Sequence, residues 1–324
     1  MPAKLKKYYT GYRPIVEDAP FVLPPFVGRG WRIEFEDSPL PNRPYKGPDQ
    51  KEIVIHARTL ESAQNALELI RCGVILYTGD RPTVEIESVI PEDLDERSYL
   101  FPEDPDVISN RMTCSFSGLS VACKIASKAS HKRKYQYALS KLRLATLLYS
   151  HHFIDLDPEN HAYQHVGVFN NFHYHVCIAH SIILSYSVIE EINLQVKASQ
   201  IKPSMIRGKW NPEVRTDLEE RLRKANVPLE KGIYWIVRGK DTRIHKNKPV
   251  ERKRDPSWKG DLYIRDGYID YCDAINRAGY LRSQVSSHKT TGLIKSLTGI
   301  DAENVRYLSR KLLLCKMKMI DCCC

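Results

Sequence analysis

The sequence predicts an α+β protein: a small N-terminal α+β domain over residues 1–125, then an α-helical bundle over 126–320 with a basic insertion at about 227–260. Three observations predict this. Residues 31–36 and 84–90 alternate apolar with polar side chains, the period of a half-buried strand. From about Ser127 the apolar spacing changes to steps of three and four, the period of a buried helix face. Between them lies an acidic, proline-punctuated stretch, PEDLDERSYLFPEDPD, with the composition of an exposed connector.

In the N-terminal part, Trp31 to Glu36 and Lys51 to Ala57 read as strands, and Val84 to Ile90 as a third. Thr59 is placed to cap a helix carrying Ala66, Leu67, Leu69 and Ile70. His56 reads as an ordinary strand residue, and no catalytic constellation is visible before residue 125. In the C-terminal part, Tyr135, Leu139, Leu142, Ala145, Leu148 and Tyr149 form the stripe of one long helix. A second helix is expected from Phe172 to Lys197, apolar almost all round and therefore central in a bundle, with Glu190 and Glu191 inside it. Asn211 and Pro212 mark the start of a shorter helix through about Lys224. Tyr234 to Val237 suits a short strand inside the insertion. The stretch GYIDYCDAINRAGYLRSQVSSHKT, Gly267 to Thr290, is predicted helical, and Asp301 is placed to cap a last helix with Arg306 and Arg310 on its outer faces.

At 324 residues, 42% hydrophobic and 27% charged, the chain has the composition of an ordinary globular protein with room for a large core. No apolar run approaches the length of a membrane-spanning helix. The basic N-terminus is not followed by an apolar segment, so no secretory signal is expected. Nine cysteines without a paired CxxC spacing fit a reduced, cytoplasmic protein. The terminal Cys322, Cys323 and Cys324 do not follow the prenylation pattern and are expected to be a disordered tail.

The net charge of +10 is unevenly spread. Residues 1–130 carry 16 basic and 19 acidic side chains, and residues 201–324 carry 27 and 15, so the excess lies in the C-terminal third. Such a concentration is the footprint of a polyanion partner, RNA being the expected one, although a solvated basic surface has the same composition. The insertion contributes Arg238, Arg243, Lys246, Lys248, Arg252, Lys253 and Arg254, interleaved with Tyr234, Trp235 and Trp258. Basic groups neutralise phosphates and aromatic rings stack on unpaired bases.

The candidate catalytic residues stand near the end of the Gly267–Thr290 stretch: Arg282, Ser283 and, six positions after the arginine, His288. At about 100° per residue, Arg282 and His288 lie roughly 120° apart on a helix and can border one cleft. A permanent cation and a titratable imidazole suit the holding of a phosphodiester and the movement of its protons. A second Arg-x6-His spacing, Arg238 to His245, falls in RGKDTRIH and reads as loop.

Two long helices, a short one, a helix bearing Arg-x5-His and a final helix: over about residues 130–320 this order resembles the HEPN superfamily of helical bundles. The resemblance implies a metal-independent endoribonuclease, of the kind found in toxin–antitoxin and antiviral systems, working as a homodimer with one Arg-x4–6-His motif per subunit facing a composite cleft. It implies attack of a ribose 2′-hydroxyl on the adjacent phosphorus, with Arg282 stabilising phosphoryl charge and His288 moving protons; Glu190 or Glu191 is expected to hold Arg282 in position. Family members commonly have Asn, Asp or His after the arginine; here that residue is Ser283, which can hydrogen-bond but brings neither charge nor imidazole.

No cofactor and no metal site are expected. His151, His152, His161, His165, His173, His175 and His180 lack the spacings of a zinc site. Alternatives to the nuclease are a non-catalytic helical module binding RNA or protein, and a structural subunit docking on an acidic protein. The N-terminal domain is expected to meet a protein partner or antitoxin.

Overall fold

The computed structural model describes residues 5–10, 25–37, 51–79, 89–91, 116–150, 172–238, 264–287 and 299–319. The protein is mixed α+β, helix-rich, and divides between Ser140 and Lys141 into two compact units.

The N-terminal unit is built on a five-stranded antiparallel sheet: β1 (Lys6–Thr10), β2 (Phe26–Gly28), β3 (Trp31–Asp37), β4 (Lys51–Ala57) and β5 (Val89–Pro91), in the order β2-β3-β4-β1-β5. Arg29 and Gly30 turn β2 into β3, and Gly30 takes the left-handed φ of 85° that such a tight turn needs. The alternation along β3 sends Trp31 and Ile33 into the core, where they meet Ile53, Ile55 and Ala57 of β4 and Tyr8 of β1. Arg32, Glu34 and Glu36 therefore point to the opposite face.

Helix α1 (Leu60–Thr78) starts where Thr59 accepts a hydrogen bond from the Ser62 N–H at 3.1 Å. It ends at Gly79, left-handed with φ 85°, whose N–H donates to the Ile75 carbonyl at 2.8 Å. Against it lies α2 (Phe116–Ser130). A Cβ on Gly73 would come within 2.6 Å of the Ala122 carbonyl oxygen, so only glycine lets these two backbones approach so closely. Because α2 packs on α1, it belongs to the N-terminal unit, and the divide falls beyond the expected 125/126 boundary, inside α3 (Arg133–Ser150). The long helix expected over the Tyr135–Tyr149 stripe is α3, and a separate helix, α2, precedes it, the two divided at His131 and Lys132.

In the C-terminal unit, α4 (Phe172–Glu191) is the central helix, with Ile178, Ile182, Val188 and Ile189 fully buried. It stops at Glu191 instead of continuing to Lys197. Asn193 turns the chain at φ 60°, and Arg221 closes the end by donating from Nη1 to the Asn193 and Gln195 carbonyls, each at 2.9 Å. Arg221 comes from α5 (Pro212–Lys224), whose start is the expected one: Asn211 accepts from the Glu213 N–H, and Pro212 occupies the first turn. Ahead of α5, β6 (Met205–Ile206) and β7 (Lys209–Trp210) form a small hairpin turned by Arg207 and Gly208, both at positive φ.

The expected strand in the insertion is β8 (Ile233–Arg238), preceded by a turn of 3₁₀ helix at Leu229–Lys231. Its partner is β9 (Ile264–Ile269), in antiparallel register from Ile233 opposite Ile269 to Arg238 opposite Ile264. This corrects the Gly267 helix start: Gly267 to Ile269 belong to the strand, and α6 (Tyr271–Ser287) begins only after Asp270. Asp270 caps it by accepting from the Cys272 and Asp273 N–H groups at 2.7 and 3.3 Å. Helix α7 (Gly299–Lys316) includes Asp301 within its first turn instead of before it. Arg306, expected outside, is buried: it pairs with Glu303 at 2.6 Å and lies over the Tyr149 ring at 4.8 Å. Both α6 and α7 pack on α4. Among the described residues no helix is long and apolar enough to cross a membrane.

Candidate active site

The site grows from the contact of α6 with α4. Small residues on α6, Ala274, Ala278 and Gly279, bring the helices close, and Gly279 faces Tyr186 of α4. One turn further along α4 stands Glu190, and one turn further along α6 stands Arg282. Their side chains meet with Arg282 Nη2 at 3.7 Å from Glu190 Oε1, an ion pair too long for a direct hydrogen bond. Both remain part-exposed, 43% and 37%, so the guanidinium is oriented on one side and open to an incoming anion on the other.

Tyr186 lies beneath this pair. Burial, and then the Glu190 charge, push its phenol up to about 12 against a smaller opposing effect of Arg282, so near neutrality it is a neutral hydroxyl. The three side chains therefore form a graded set: a buried neutral donor, a carboxylate and a half-open cation.

The expected residues divide as follows. Arg282 and Glu190 are brought together, where the sequence left Glu190 and Glu191 as alternatives. Glu191 is not part of the set: one position on, it faces another way, and its Oε1 accepts from Lys141 Nζ of α3 at 2.6 Å while Lys141 also donates to Ser187. Ser283 Oγ donates to the Tyr280 carbonyl at 2.7 Å and Ser286 Oγ to the Ser283 carbonyl at 3.3 Å, so both hydroxyls are engaged by their own helix. His288 lies outside the described residues, as do Arg243, Lys246, Lys248, Arg252, Lys253 and Arg254. Arg238 ends β8, opposite Ile264. Of the histidine-rich stretch, His175 is buried, and His180 is exposed with Nδ1 at 2.8 Å from the Val176 carbonyl.

Sequence reasoning missed Tyr186 and the pair Arg277–Tyr280, in which the guanidinium lies 5.2 Å from the centre of a half-exposed ring. Tyr186 carried a usable signal, since it lies four residues before Glu190 and so shares its helix face. It also missed a group in the N-terminal unit, where His56 Nε2 stands 3.0 Å from Glu34 Oε2 and 3.2 Å from Glu36 Oε1.

No family model, no characterised protein and no solved structure matches this chain.

Proposed function

We propose that the C-terminal unit is a metal-independent endoribonuclease of the HEPN type, acting in the cytoplasm as a homodimer, in the manner of a toxin or antiviral effector. The observation that carries this reading is the Arg282–Glu190 pair, a guanidinium held by a carboxylate on the central helix and left open on its other side. In the reaction a ribose 2′-oxygen attacks the adjacent phosphorus while the bond to the 5′-oxygen breaks. His288 takes the 2′-hydroxyl proton or supplies one to the departing oxygen, and the products are a 2′,3′-cyclic phosphate and a 5′-hydroxyl. Arg282 offers its fork of N–H donors to the phosphoryl oxygens as charge builds on them. The basic segment from Arg238 to Arg254 supplies phosphate contacts. The N-terminal unit is the place for a protein partner or antitoxin.

One observation favours a second reading, a non-catalytic module that holds RNA. Ser283 and Ser286 donate their hydroxyl protons to helix carbonyls, so neither donates one to a phosphate oxygen.

Purified wild type, Arg282→Ala and His288→Ala, each incubated with total RNA and a structured tRNA in EDTA, separate the two. Cleavage by wild type alone, leaving cyclic-phosphate ends, supports the nuclease. RNA retained without new ends supports the module, and equal cleavage by all three proteins overturns the assignment of the site.

A further inference from the structure

We propose that Glu34, Glu36 and His56 form a binding site for one divalent transition-metal ion of the zinc class, on the outer face of the N-terminal sheet. The strand pattern builds it. Glu34 and Glu36 are two apart on β3 and so project to one face, and His56 of β4, opposite Arg32 in register, projects to the same face beside them.

The donor atoms converge. His56 Nε2 is 3.0 Å from Glu34 Oε2 and 3.2 Å from Glu36 Oε1, and the ligand atoms of all three residues lie within 4.8 Å of one another. Ligand bonds of about 2.0–2.2 Å to zinc place neighbouring donors of a tetrahedral set about 3.3–3.6 Å apart, so the two short separations need widen by only a few tenths of an ångström to admit an ion. The chemistry of the set agrees, since one imidazole and two carboxylates are ordinary zinc ligands.

The other carboxylate oxygens are held from behind. Lys7 Nζ is 2.6 Å from Glu36 Oε2, and Arg32 Nε is 3.0 Å from Glu34 Oε1. Each glutamate thus turns one oxygen to a cation and the other to His56, which is how outer partners orient ligands in metal sites.

A single proton on Nε2 cannot fully satisfy two carboxylate oxygens at once; an ion between all three donors can. Lys7 and Arg32 balance the charge of the carboxylate oxygens turned away from His56. Three protein ligands leave a coordination position open, and the side chains are 16–32% exposed, so water reaches it.

The test is calorimetric titration of the full chain with Zn²⁺, and separately with Co²⁺ read by visible absorption, comparing wild type, His56→Ala and the shape-preserving pair Glu34→Gln/Glu36→Gln. The comparison is of ions bound per chain, because cysteines elsewhere also take these metals. Wild type is expected to bind one more ion than either variant, the extra Co²⁺ showing no thiolate charge-transfer band, and its melting temperature to rise with Zn²⁺. Equal stoichiometry in all three proteins, or an extra ion with thiolate absorption, overturns the site and leaves the cluster a polar network around His56. Circular dichroism of each variant, and the double glutamine variant if His56→Ala fails to fold, keep loss of ligands distinct from loss of structure.

Discussion

Tyr186 of α4 lies over the backbone of Gly279 of α6: a Cβ on residue 279 would stand 2.9 Å from the tyrosine Oη and 3.3 Å from its Cζ. Only glycine allows this approach, which sets the distance between the helix bearing Glu190 and the one bearing Arg282. In a free helix Gly279→Ala would gain about 1 kcal/mol of propensity. Here overpacking against a buried ring costs about 1–3 kcal/mol, and we expect it to win. Urea unfolding should show Gly279→Ala less stable than wild type, with recovery when Tyr186→Phe removes the obstructing oxygen. Additive single effects would disprove the contact.

The Arg282–Glu190 pair should matter to activity more than to stability. Both groups are part-exposed, so the pair contributes about 0–1 kcal/mol to folding. Arg282→Ala should abolish RNA cleavage with little change in the unfolding midpoint. Glu190→Gln should leave cleavage roughly tenfold down, about 1.4 kcal/mol of transition-state stabilisation, since the guanidinium is still present but less well oriented. Single-turnover rates and urea midpoints, measured together, check both.

Asn304 of α7 acts as a strand partner for β8. Its Nδ2 donates to the Ile236 carbonyl at 2.7 Å and its Oδ1 accepts from the Ile236 N–H at 2.9 Å, all of it buried. Asn304→Leu abandons two buried backbone groups, at about 1–3 kcal/mol each. Asn304→Asp sets a buried carboxylate oxygen against the Ile236 carbonyl and should be at least as damaging. Chemical denaturation gives the order.

Binding of single-stranded RNA should depend steeply on salt. Each phosphate contact adds about 0.7 to the slope of log affinity against log salt. Neutralising Arg252, Lys253 and Arg254 to Gln should flatten that slope by about 2. An unchanged slope would move the RNA contact away from the insertion.

Glu36 makes one pH prediction. Its folded-state pKa lies below the ordinary 4.5, so its contribution to stability is present above that pH and is lost as pH falls through the lower folded value. The stability difference between wild type and Lys7→Met should therefore be largest near neutrality and shrink below about pH 4.5. Solvent reaches both side chains, so its size stays within about 1 kcal/mol. A difference independent of pH would show that Lys7 acts by packing alone.

Local rules carried much of the fold. The strands at Trp31 and Lys51, the Thr59 and Asn211 caps and the buried stripe from Tyr135 to Tyr149 were legible because each depends on neighbours in sequence. The Gly267 start failed for the opposite reason: Ile264 to Ile269 is a strand because β8 pairs with it, and a partner some thirty residues away leaves no mark on helical periodicity. Arg306 was misplaced because a buried cation is possible only with Glu303 and the Tyr149 ring, and the ring is remote in sequence.

By itself, then, the sequence determined the alternation of strand and helix periods, the Thr59 and Asn211 caps, the basic C-terminal third and the presence of Arg282, Ser283 and His288 on one stretch. Tertiary structure alone decided that Glu190 and not Glu191 meets Arg282, that Tyr186 lies beneath them, and that His56 stands between two glutamates. The physical reason is reach. Periodicity and capping act within a turn or two of chain, whereas an ion pair or a ligand set is chosen by which faces of distant elements are pressed together, and that choice belongs to the packed core.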